Sequence, residues 1–280
     1  MLRLFSLCLM IGLSGPVAAQ PRMPFPQVAR LVWDTMRMDD LAPLIRDEAV
    51  ADGARMAGTL FPRGGTGRWA GVVAAIHDPA RLRALFIAGM AAALPATDPR
   101  DLQAGLDFYR SDLGRRRLDL EIVARRAMLN PVVENAARAA FAKAQQDDDR
   151  RAGQIMRLID TADLVEPNVV SALNAGIAFA RAFQGAGGLP MPMRPEEILA
   201  DAWSREPQVR AEARDWIGSY LFLAYAPLTD AQLETAIAFA ASPGGRAVSR
   251  LMLAGFDAAL MQVSRDMGVA AAIETRARRL

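Results

Sequence analysis

The sequence predicts an all-α protein, a two-copy helical bundle of about ten helices behind a cleaved signal peptide. Three observations carry that expectation. Apolar residues recur at spacings of three and four along the 280 residues, and no stretch sustains the alternation of a strand. Helix-start residues punctuate the chain. A nineteen-residue pattern also appears twice, at an offset of 131 positions. A period that long implies two domain-sized copies rather than a solenoid of short repeats.

From the beginning of the chain, Met1 to Gln20 read MLRLFSLCLMIGLSGPVAAQ. Arg3, the apolar run from Leu4 to Leu13, the Ser-Gly-Pro break and Val17-Ala18-Ala19 follow the order of a secretory signal peptide, with cleavage expected after Ala19. The run is too short to span a bilayer as a helix, which takes about 20 apolar residues. The expected organisation is a signal peptide over 1–19, a Pro-rich linker over 20–29, a first helical repeat over 30–160 and a second over 161–280. Cleavage would remove Cys8, the only cysteine, and leave a mature chain without thiols, disulfides or thiolate metal ligands. The location implied is the periplasm.

Along the mature chain, Asp78-Pro79 and Asp98-Pro99 each set a capping residue before a proline at the first helical position. Ser242-Pro243 and Arg194-Pro195-Glu196-Glu197 are similar starts, and the acidic run Asp147 to Asp149 suits the amino end of the next helix. Arg63 to Gly67, Gly185 to Gly188 and Leu189 to Pro195 read as loops. Trp216 to Tyr225, WIGSYLFLAY, is apolar nearly all round, as a core helix is. Trp216 and Tyr220, one turn apart, leave an aromatic platform as the alternative to core packing.

The repeat itself runs from Leu102 to Leu120 and from Leu233 to Leu251. Phe108, Ser111, Gly114 and Arg115 recur as Phe239, Ser242, Gly245 and Arg246. The pattern predicts a helix, a corner and a second helix. The serine caps the second helix, the glycine lets the two helices approach, and the arginine reaches the carbonyls that end the first. An upstream echo pairs Trp69 with Trp203. These corners resemble the secreted proteobacterial family catalogued as domain of unknown function two-zero-five-nine. The resemblance is closest at FAASPGGR (Phe239 to Arg246) and DFYRSDLGRRR (Asp107 to Arg117), with Asp112 where proline is usual. It implies an exported helical protein and supplies no reaction.

Composition bounds the function. With 52% hydrophobic and 23% charged residues the chain has a sizeable core, which excludes a disordered tail. The 33 basic residues nearly balance 31 acidic ones, all but Lys143 of the former are arginine, and no long basic block occurs, so nucleic acid is not the expected partner. His77 is the only histidine, which argues against an imidazole metal site or a Ser-His-Asp triad; its position before Asp78-Pro79 reads as capping or surface. No metal and no cofactor is expected. The polar groups left for chemistry are carboxylates, hydroxyls and arginines, densest in the first copy, where Asp107, Arg110, Arg117 and Glu121 form a candidate cluster. Glu121 and Arg125, four apart, read by themselves as an ordinary surface pair.

The residues thus suggest a cofactor-free binding or envelope-associated module that meets an envelope component. The rivals are a carboxylate-dependent hydrolase of an envelope polymer and peripheral membrane contact through Arg276 to Arg279; no transmembrane helix is expected in the mature chain. An enzyme predicts an inward-facing Glu121 or Asp107 in a polar cleft. A packing module predicts the two corners buried against each other.

Overall fold

The computed structural model describes residues 23–61 and 66–277. The expected signal peptide with Cys8 lies outside the described residues, as do 62–65 and 278–280. Among the described residues there are thirteen α-helices, one 3-10 turn and no strand. They are α1 (Phe25–Thr35), α2 (Met38–Leu60), α3 (Thr66–Ile76), α4 (Pro79–Ala93), α5 (Pro99–Arg110), α6 (Asp112–Met128) and α7 (Pro131–Gln146). Then follow α8 (Arg150–Thr161), α9 (Val165–Gly185), α10 (Pro195–Ser204), α11 (Glu206–Ala224), α12 (Asp230–Ala240) and α13 (Pro243–Ala277), with the 3-10 turn at Leu94–Ala96.

The all-α expectation holds, and the expected starts are where the helices begin. Asp78, Asp98, Ser111 and Asp149 each accept a hydrogen bond from a backbone N–H in the first turn of α4, α5, α6 and α8. The stretch read as a Pro-rich linker is shorter than expected, because α1 begins at Phe25. Pro24 caps it and Pro26 sits in its first turn, where an amide donor has no intrahelical partner to lose.

The hydrophobic core is shared between the two halves of the chain. One cluster joins Trp33, Phe86 and Leu106 to Val248 and Leu251. A second joins Ala124 to Ile155, Tyr225 and Leu233, and a third joins Trp69 and Val73 to Met267 and Ala271. Helix α13, 35 residues and so about 50 Å long, packs against α3, α4, α5, α9 and α12, while α6 packs against α11. Each of the three clusters takes residues from both halves.

The two corners make the same bonds. In the first, Ser111 Oγ donates to the Phe108 carbonyl at 2.6 Å and accepts from the Gly114 amide at 3.2 Å, and Arg115 donates to the Arg110 carbonyl. In the second, Ser242 Oγ donates to the Phe239 carbonyl at 2.6 Å, accepts from the Gly245 amide at 3.0 Å, and Arg246 donates to the Ala241 carbonyl. The corners also lie against each other. The Phe108 and Phe239 rings stack with centroids 3.6 Å apart and planes 8° from parallel. Beside them a Cβ added at Gly105 would stand 2.5 Å from the Gly244 carbonyl oxygen, so α5 and α13 touch backbone to backbone.

Gly114 and Gly245 each face the carbonyl oxygen of the phenylalanine six residues earlier, leaving no room for a methyl group. Gly114→Ala and Gly245→Ala are expected to destabilise by about 2–3 kcal/mol in denaturant unfolding, within the usual range for overpacking. Gly71→Ala in α3 meets nothing within 4 Å and is expected to stabilise by about 0.5–1 kcal/mol instead.

Candidate functional site

The corner of the first half brings together only part of the candidate polar cluster. Arg117 is 8% exposed and donates from Nε and a terminal nitrogen to the Tyr225 hydroxyl at 3.0 and 2.8 Å. Tyr225, fully buried at the end of α11, donates in turn to the Glu121 carboxylate, and Arg117 meets that carboxylate at 3.5 Å. Tyr220 donates to the Glu121 backbone carbonyl at 3.0 Å. Burial works against the charge on Arg117, but the oxygens of Tyr225, Glu121 and Tyr109 outweigh it and its pKa is raised. Burial also raises Tyr225 well above the ordinary phenol value, against the pull of Arg117, so this hydroxyl stays neutral and can bridge the two charges.

Asp107 and Arg110 do not join this group. They face solvent as a loose pair at 3.7 Å, with Gln103 on Asp107 at 2.7 Å and Thr35 on Arg110 at 3.3 Å. The reason is helix phase: Arg117 and Glu121 share the inner face of α6, whereas Asp107 and Arg110 lie on the outer face of α5. Arg125 pairs across helices, with both Glu48 oxygens at 2.7 and 2.6 Å, and its guanidinium lies 5.5 Å from the Trp216 ring, which stacks on Tyr220. The expected Glu121–Arg125 surface pair is thereby replaced by two separate, partly buried pairings.

The larger opening in the fold lies elsewhere. A groove-like cavity of about 640 Å³ runs between α2, α9, α10 and α13, within the range of small-molecule sites. Its walls are mostly apolar: Met56 of α2, Phe179 and Phe183 of α9, Ile198 of α10, and Leu260 and Met267 of α13. Gly176 of α9 also lines it, and a Cβ there would meet nothing within 4 Å. One edge is the loop after α9. Gln184 clamps that loop, accepting from the Met193 amide at 2.7 Å and donating to its carbonyl at 3.0 Å. A second, open cleft of about 420 Å³ beside α8 and α11 is lined by Asp160, Glu166, Arg210 and Arg214, and there Arg210 pairs with Glu166 at 2.7 Å.

His77 lines the larger cavity, at 8% exposure, which corrects its reading as a cap or surface residue. The cap of α4 is Asp78. His77 Nδ1 lies 2.9 Å from the Val73 carbonyl, an acceptor only, so Nδ1 carries the proton and Nε2 the lone pair. Burial is the main cause that lowers its pKa, opposed by the Val73 bond; nearby Arg81 lowers it further and Asp52 raises it. Asp52 stands at the exposed rim of the cavity, paired with Arg55. Sequence reasoning missed this site because its walls come from four helices. A lone histidine one residue before a helix cap was the single available signal.

Among the described residues no group of three or more His, Cys, Asp or Glu is arranged to hold a metal ion, and no helix is long and apolar enough to cross a membrane. Val269 and Ile273, 41% and 57% exposed, lie on α13 within two turns of Arg276. The chain matches no family model, and no curated protein and no solved structure is significantly similar to it.

Three outcomes follow for stability. Glu121→Ala leaves Arg117 without its carboxylate and is expected to cost about 2–3 kcal/mol in denaturant unfolding, less than a fully buried pair because Glu121 is partly exposed. Asp107→Ala is expected to change stability by no more than about 0.5 kcal/mol. For His77 the folded-state pKa is depressed, so the unfolded chain takes up a proton first as pH falls. Its contribution is present above the ordinary imidazole value near 6.5 and is lost below it, so denaturation midpoints of the wild type are expected to fall between pH 7.5 and 5 more steeply than those of His77→Phe.

Proposed function

We propose that this protein is an exported, periplasmic binding module whose ligand is an apolar small molecule seated between α2, α9, α10 and α13. The observation that carries the reading is the cavity of about 640 Å³, apolar along its walls and carrying one buried, neutral imidazole. A cavity of that kind with a few convergent polar groups is the usual form of a ligand site. Export rests on the order of residues in Met1 to Gln20 and on the resemblance of the corners to the secreted family named above. A carboxylate-dependent hydrolase has less support, because the Glu121 carboxylate is engaged by Tyr225 and Arg117, and neither cavity is lined by any of the four residues of the candidate cluster.

The same reading includes a duplicated architecture, with α1–α6 and α8–α13 as the two copies and α7 between them. The equal bonding of the two corners supports it. So does the offset of 131, which takes Arg117, Glu121 and Tyr225 onto Val248, Met252 and Leu94. Those three belong to one apolar cluster, so one junction is polar where its counterpart is not.

Titration of the purified protein with N-phenyl-1-naphthylamine, which fluoresces in apolar surroundings, tests the site. The expected result is saturable binding that weakens at least tenfold in Gly176→Trp, whose side chain fills the cavity, with the melting temperature kept. No saturable signal, or equal binding by the variant, overturns the reading. Export predicts a mature amino terminus at Gln20 in protein recovered from the cell envelope.

A further inference from the structure

Resting on that reading of the cavity, we infer the chemistry of its ligand: an uncharged amphiphile, an apolar chain ending in a single hydroxyl that donates a hydrogen bond to His77 Nε2. Three features at this end of the cavity point to it. His77 is more than nine-tenths buried, lines the cavity, and donates its Nδ1 proton to the Val73 carbonyl at 2.9 Å. Its Nε2 therefore presents a lone pair, and no described residue hydrogen-bonds to it. That nitrogen is open to the cavity and is not among the buried polar atoms left without a partner, so a ligand hydroxyl can take the place of water as its donor.

The charge around the imidazole selects the kind of donor. A carboxylate has no proton to offer at neutral pH, would face the Nε2 lone pair, and would sit near Asp52. An ammonium would lose its hydration among Met56, Phe179 and Met267, with Arg81 close enough to disfavour a positive charge on the same ring. Asp52 and Arg81 act on the ring in opposite senses, so neither sign of charge is clearly favoured there. A neutral hydroxyl satisfies the acceptor and leaves the rest of the molecule to the apolar walls. The methionines and the stacked pair Phe179 and Phe183, 5.9 Å apart, suit a chain without a fixed shape.

The test is displacement of N-phenyl-1-naphthylamine from the purified protein by four ligands of matched chain length: 1-dodecanol, dodecyl methyl ether, dodecanoate and dodecylamine. The alcohol is expected to displace the probe at about a tenfold lower concentration than the ether, which keeps the oxygen and lacks the proton, and than both charged ligands. In His77→Phe the alcohol and the ether are expected to become equal. If all four compete equally in the wild type, or a charged ligand competes best, the head-group assignment is overturned while the cavity remains a binding site. If neither probe nor ligand binds, the cavity reading itself fails. A preference for the alcohol that persists unchanged in His77→Phe would assign the donor contact to another residue and overturn the role of Nε2.

Discussion

The close approach of α5 to α13 is the constraint on which the rest of the structure depends. It exists because glycine stands at positions 105 and 244, where any side chain would meet the opposite backbone, and because Phe108 and Phe239 then stack at 3.6 Å. With the corners held together, α13 is carried across the first half of the chain, against α5, then α4 and finally α3, while it also packs on α9. The two hydrophobic clusters that contain α13 residues draw on both halves for this reason, and the other joins α6 to α8, α11 and α12. The two halves are packed into one body for this reason.

The buried polar trio answers a different need. Arg117 and Glu121 face inward on α6 because their spacing of four puts them on one helix face, and that face is turned to α11. A guanidinium in such a place needs partners, and the neutral Tyr225 hydroxyl supplies one by accepting from Arg117 while donating to Glu121. The arrangement uses up the groups that a catalytic reading would require. What it provides is a definite register between α6 and α11, since a slide of one turn would strand a charge among Leu221, Leu228 and Leu233.

Much of this fold is legible along the chain. The caps at Asp78, Asp98, Ser111 and Asp149, the corner motif and the core helix ending at Tyr225 are all local features, decided by hydrogen bonds within a few residues. The candidate polar cluster is half legible. Helix periodicity pairs Arg117 with Glu121, but it carries no information on which face of α5 is turned to solvent, so along the chain Asp107 and Arg110 look like partners of residues they never meet. His77 is the instructive failure. A histidine beside a helix start looks like a surface residue, and only the packing of α2 and α9 around it makes it the wall of a cavity.

The sequence by itself determined the helical class, the places where helices start and turn, and the two glycine corners, because each depends on backbone hydrogen bonding and sterics over one or two turns. The tertiary structure alone decided where apolar surface would be left uncovered. Phe179, Met56 and Met267 have the same periodic spacing as residues that pack solidly, and a residue facing a neighbour and a residue facing a void are written alike. Whether four helices close on one another or stand apart is settled by the sum of their contacts with the rest of the bundle, and that sum is not a property of any one segment.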